Sequence, residues 1–114
     1  MNIFDFNIKN NARRFEAAEW GASKEIFFKT LNLPETLLIN EYFETYRNAE
    51  TCGEEKVEAS FKMLKLALVD ENGDAVLTDD DYEAVKNAPA APIVRAWCYA
   101  MNPEYNRGET FKKK

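Results

Sequence analysis

Glu25-Ile26-Phe27-Phe28-Lys29-Thr30 is the stretch on which the fold class turns. β-Branched and aromatic side chains dominate it, and such residues fit the pleated, half-buried surface of a strand. Gly21-Ala22-Ser23 just before it supplies a turn, so the segment is expected to pair back on what precedes it as a hairpin. The preceding arm stays open between two readings. Ala12, Phe15 and Glu19 fit one face of a helix that Gly21 would stop, and propensity favours that, whereas pairing with Lys24 to Leu31 favours an extended chain. Residues 12–20 are therefore strand or helix. Nearer the amino terminus, Phe4, Phe6 and Ile8 share a face at period two before Asn10-Asn11, which reads as a short edge strand or an ordered arm.

Downstream of the hairpin the period changes to that of helices. Leu33-Pro34-Glu35 opens one, with Pro34 in the first turn, where its missing N–H costs nothing, and Glu35 at the positive end of the dipole. It is expected to run to about Asn48, with Leu38, Ile39, Tyr42, Phe43 and Tyr46 forming an apolar arc and Leu37 at its edge. The small polar link Asn48 to Gly53 leads to a second helix striped by Val57, Phe61, Leu64 and Leu68, so the two should pack antiparallel. Asn72-Gly73, between apolar pairs, marks a tight loop or miniature hairpin. Thr78, followed by Asp79, Asp80 and Asp81, resembles a capping box and should start a short helix that ends near Ala88, before Pro89. A last helix from about Ala90 carries Ile93, Val94, Trp97, Cys98, Tyr99, Ala100 and Met101 and is apolar nearly all round; Asn102-Pro103 ends it.

The expectation is an α+β fold, mainly helical with about four helices, plus an N-terminal β-hairpin or short antiparallel sheet. A chain of 114 residues suits one hydrophobic core, assigned to residues 1–103, with 104–114 as a polar tail. Apolar residues make up 46% of the chain, and eight Phe, five Tyr and two Trp give it more aromatic surface than a disordered chain carries. A net charge of −5 opposes binding to nucleic acid or an anionic bilayer, and Arg107, Lys112, Lys113 and Lys114 read as a solvated tail. No apolar run reaches the length of a membrane span, and Met1-Asn2-Ile3-Phe4-Asp5 has no signal-peptide character, so the protein is expected to stay where it is made.

Chemistry finds little footing in these residues. Cys52 and Cys98 form no CxxC pair, and the absence of histidine removes the usual partner of a zinc ion or a thiolate nucleophile. There is no nucleophile elbow, and Gly21, Gly53, Gly73 and Gly108 are isolated, outside any phosphate-cradling pattern. Asp70, Asn72 and Asp74 stand at the first, third and fifth places of a calcium loop, but Ala75 replaces the turn glycine and Asp81 the bidentate glutamate. The expectation is no enzyme activity, no cofactor and no metal; a calcium-responsive module is the rival reading. Partner-binding candidates are Trp20, Ile93, Trp97, Tyr99 and Met101. Trp20 and Tyr99 lead that set, while for Trp97, as for Tyr42, a place in the core is the favoured reading.

The order of these pieces carries a resemblance. Leu68-Val69-Asp70-Glu71-Asn72-Gly73, then Leu77-Thr78-Asp79-Asp80-Asp81, then Pro89-Ala90-Ala91 and a helix closing on Met101-Asn102 resembles the tail assembly chaperones of long-tailed bacteriophages. Glu19-Trp20-Gly21 and Ile26-Phe27-Phe28-Lys29-Thr30-Leu31 are similar to that family's extended amino-terminal segments. The Ala-rich, Trp-containing final helix departs from it. The resemblance implies a host-cytoplasmic protein, absent from the mature virion, that keeps the tape measure protein soluble and helps recruit major tail protein. It also implies self-association or a longer frameshifted form, for which the codons of Lys112-Lys113-Lys114 would be the slippery run. A prophage interaction protein with another partner is the remaining alternative.

Overall fold

A computed structural model describes residues 12–21 and 25–101. The expected strand over Phe4 to Ile8, the turn residues Ala22 and Ser23, the stop at Asn102-Pro103 and the tail 104–114 lie outside the described residues. Within them the architecture is α+β and mainly helical, with four α-helices and a three-stranded antiparallel sheet near the amino terminus.

Strand β1 (Arg13–Phe15) pairs antiparallel with β2 (Ile26–Phe28), Phe15 opposite Ile26 and Arg13 opposite Phe28. The open reading of residues 12–20 thus resolves as strand followed by a 3-10 turn, Ala18–Trp20, which Gly21 ends in the left-handed region at φ 71°. Burial decides against the helix. Phe15, Ala17, Ile26 and Phe28 all enter the core, and only an extended Arg13–Phe15 can lay Phe15 beside Ile26 on the same sheet face. On the far side of β2 lies β3 (Leu68–Val69), pairing Phe28 with Leu68 and Phe27 with Val69. Val69 also bridges to Ala75, so the expected tight loop is a miniature hairpin. The Asp70 carboxylate accepts from Asn72 N–H at 2.8 Å and Asp74 N–H at 3.0 Å, and Gly73 takes φ 88° at the point where the chain reverses.

Helix α1 (Leu33–Arg47) begins with a full capping box: Asn32 Oδ1 accepts from Glu35 N–H, and Glu35 Oε1 accepts from Asn32 N–H. Glu35 also takes Lys29 Nζ at 2.6 Å, tying the helix start to the end of β2. A five-residue link, 48–52, leads to α2 (Gly53–Ala67), and so short a link between packed helices makes them antiparallel. Met63, Leu64, Ala67 and Leu68 are fully buried along this second helix and its exit. Thr78 and Asp81 form the capping box expected of them, although the first turn, Asp79–Asp81, is 3-10 before α3 (Tyr82–Lys86) becomes regular. Helix α4 (Ala91–Met101) closes the fold.

The apolar arc of α1 is narrower than expected. Ile39 is buried, and Tyr42, Phe43 and Tyr46 pack against the core, but Leu38 stands 41% exposed, with Leu37 at 56% and Leu33 at 71%. Leu38 lies only one turn from Tyr42, yet the core covers Tyr42 in part and leaves Leu38 in solvent.

Trp97 and Tyr99 divide the core between them. The Trp97 indole stacks on Tyr46 at 5.0 Å between ring centroids, lies 5.4 Å from Phe43, and donates its N–H to Ser60 Oγ at 3.2 Å. The Tyr99 ring meets Phe15 and Phe28 edge-on, each at 5.6 Å, with the Arg13 guanidinium 4.7 Å from its centroid. Truncating Phe28 should therefore open a void where sheet and α4 meet. Phe28→Ala is expected to cost about 3–5 kcal/mol in urea unfolding, whereas Leu33→Ala at the exposed start of α1 should stay within about 0.5 kcal/mol of the parent.

Candidate functional site

Helices α2, α3 and α4 and the last turn of α1 do not close completely on one another. Between them is a cleft of about 210 Å³ walled by Tyr46, Val57, Phe61, Tyr82, Val85 and Ile93, with the small Ala88 and Ala90 and the ends of Ser60, Lys86 and Val94 also lining it. Phe61 and Tyr82 meet edge-to-face at 5.3 Å and stiffen one wall. From the chain between α3 and α4 only Ala88 and Ala90 line the cleft, and each offers a methyl group where a larger side chain would fill the space.

Val94 carries this apolar surface outward. With Ala91, Cys98 and Met101 it forms an exposed stripe on α4 spaced three, four and three residues apart, Val94 53% and Met101 36% exposed. No charged residue interrupts it. Arg95, the only charged residue of α4, is held on another side, where its guanidinium donates to Glu16 O at 2.6 Å and pairs with the Glu19 carboxylate. That contact and the Trp20 indole N–H, which donates to Pro89 O at 2.8 Å, fasten the segment after β1 to α4 and the loop before it.

A second hollow, beside α2, is lined by Glu58, Lys62, Lys65 and Asp79 as well as Phe61 and Tyr82, and the ion pair of Lys65 with Asp79 spans it. Mixed charges on an open surface read as a solvated face. Among the described residues no group of three or more Cys, Asp or Glu is placed to hold a metal ion, and the acidic turn uses the Asp70 carboxylate to hold its own backbone.

The five partner-binding candidates separate. Trp97 and Tyr99 are core residues, 4% and 6% exposed, and offer a partner no face; their rings are engaged on the helices and the sheet respectively. For Tyr99 that corrects the expectation, whereas for Trp97 it agrees with the core role that the sequence favoured. Trp20 is half-buried and committed to Pro89. Ile93 lines the cleft, and Met101 ends the exposed stripe, so these two remain on a continuous apolar surface. Sequence reasoning missed Tyr46, Val57, Tyr82, Val85 and Lys86 as lining residues, because their convergence depends on how four helices meet. The run of small residues around Pro89 was the one local signal of a gap.

In comparisons with known proteins, the chain matches no family model, no curated protein and no solved structure.

Two features of the site region have measurable consequences. The Tyr82 hydroxyl is buried and finds no hydrogen-bond partner among the described residues, and burial, with Glu54 nearby, raises its pKa. Tyr82→Phe should therefore raise the midpoint of urea unfolding, because it removes a hydroxyl that finds no partner in the fold. The hydrogen bond from Arg95 holds the Glu19 carboxyl below its ordinary value, helped by a backbone N–H and opposed by partial burial. A lowered folded-state pKa gives stability that is fully present above the unfolded carboxylate value, about 4.3, and is lost as the pH falls through the folded value. The difference in melting temperature between the parent and Glu19→Gln should be constant near neutrality and shrink to nothing in strong acid.

Proposed function

We propose that the chain is a non-catalytic binding protein that shields apolar segments of other polypeptides. In its specific form the reading is a tail assembly chaperone of a long-tailed bacteriophage, working in the host cytoplasm and leaving no copy in the finished virion. Its clients are then the tape measure protein, which it keeps soluble, and the major tail protein, which it helps to recruit. One observation carries the binding reading: large aliphatic side chains are gathered in two exposed groups, Leu33, Leu37 and Leu38 on α1 and Val94 with Met101 on α4, and are not scattered singly. The net charge of −5 supports it, since an acidic surface keeps a complex with a long, aggregation-prone client in solution. The phage assignment rests on the order of turn, cap, proline break and closing helix in the sequence.

Co-expression with a tape measure protein and a major tail protein, followed by affinity purification and size-exclusion chromatography, tests the proposal. A soluble complex with the tape measure protein is expected, and Val94→Asp combined with Met101→Asp should reduce its yield by about tenfold while the free protein melts unchanged. Co-purification of neither tail protein would reject the phage assignment and leave an interaction protein with another partner.

A further inference from the structure

We infer that Asn72 is a self-modification site: the backbone nitrogen of Gly73 displaces ammonia from the Asn72 side-chain amide, and hydrogen bonds to Asp70 set how slowly the folded chain does so. No partner is needed.

Sequence selects the residue first. Asn72 is the one asparagine of the chain that glycine follows. A side chain on the following residue crowds the approach of its backbone nitrogen to the carboxamide carbon, and glycine has none. Structure then selects it again. Among the described residues, Asn32 Oδ1 accepts from Glu35 N–H, Asn48 Oδ1 accepts from Glu50 N–H, and Asn87 Nδ2 donates to Glu83 O. Asn40 lies inside α1, where the N–H that follows it is tied into the helix. The Asn72 side chain is exposed and makes no hydrogen bond among the described residues.

In the first step Gly73 N bonds to Asn72 Cγ, the Cγ–Nδ2 bond breaks, and the amino group leaves as ammonia with the proton that Gly73 N gave up. The product is a cyclic imide. Solvent water then opens the ring at either carbonyl. Breaking the new N–Cγ bond leaves aspartate at position 72. Breaking the original peptide bond leaves an isoaspartyl link, whose main chain runs through Cγ and is one methylene longer.

Asp70 opposes the first step. Its carbonyl oxygen accepts from Gly73 N–H at 3.0 Å, so the nucleophile is engaged. Its Oδ1 accepts from Asn72 N–H at 2.8 Å and Asp74 N–H at 3.0 Å, which restrains the backbone rotation that would bring nitrogen and Cγ together. The charges of Asp70, Glu71 and Asp74 also oppose loss of the Gly73 proton. Reaction therefore waits on local opening of the turn. The isoaspartyl product does not fit the closed turn. Asp70 N–H donates to Asp74 O at 2.8 Å and Val69 bridges to Ala75, and an added backbone carbon puts both contacts out of register. The modified chain thus loses its miniature hairpin.

The test incubates the full chain at mildly alkaline pH and follows each asparagine by tandem mass spectrometry of proteolytic peptides, with isoaspartate distinguished from aspartate. Asn72 is expected to convert before any other asparagine and to give both products. Conversion should be several-fold faster with the chain held unfolded in guanidinium chloride, and several-fold faster in folded Asp70→Ala than in the folded parent. Gly73→Ala is compared with the parent only in the unfolded state, where the φ of 88° at Gly73 no longer matters, and should slow the reaction several-fold. The purified isoaspartyl form should melt below the parent. Another asparagine converting first, aspartate as the sole product, or equal rates in the folded and unfolded parent would each overturn the inference. So would a folded Asp70→Ala that reacts no faster than the parent, an unfolded Gly73→Ala that reacts as fast, or an isoaspartyl form with the parent's melting temperature. Should Asp70→Ala fail to fold, the ratio of rates between the unfolded and folded parent decides.

Discussion

Two side chains on one helix hold the two halves of this protein together. Trp97 and Tyr99 lie two residues apart on α4, about 200° around its axis, so one indole enters the α1–α2 pair while the phenol lies under the sheet. The three strands are too short to stand alone, at most three residues each among the described residues. Their stability comes from Phe15 and Phe28 closing on Tyr99, and from Arg13 above its ring. Likewise the hydroxyl of Ser60, a buried polar group on α2, is reconciled with its apolar surroundings by the Trp97 N–H. Removing either ring would leave one layer without a partner.

That arrangement explains how much of the fold could be read from the sequence. Local signals were strong where local chemistry sets an element: Pro34 and Glu35 at a helix start, Asn72-Gly73 at a reversal, Thr78 with Asp81 at a cap, Pro89 at a break. Each holds in the structure. Residues 12–20 were undecidable because their helix propensity opposes the burial of Phe15 beside Ile26, and that burial exists only once β2 and α4 are in place. Leu38 was misplaced for a related reason. A helical period marks an apolar arc, but the width that is covered depends on the neighbours, which bury Ile39 and leave Leu38 exposed.

The candidate site was less legible than the fold. Composition separates aromatic from polar residues but does not say which aromatic faces outward, and both Trp97 and Tyr99 were drawn inward by partners distant in sequence. What stays outside on α4 is the less conspicuous set: alanine, valine, cysteine and methionine. These residues are small or flexible, and methionine in particular adapts to surfaces of different shape.

The cleft follows from the same demand on α4. A helix that turns its largest rings inward on two sides keeps its smaller apolar residues for the remaining ones. It must also be delivered to the core by a short connection, and Ala88-Pro89-Ala90 makes that connection without filling the space beside it. A bulky residue at either alanine would close the gap and bury more surface. The gap therefore costs the folded chain stability, because its apolar walls go without the contacts a filled core would give them.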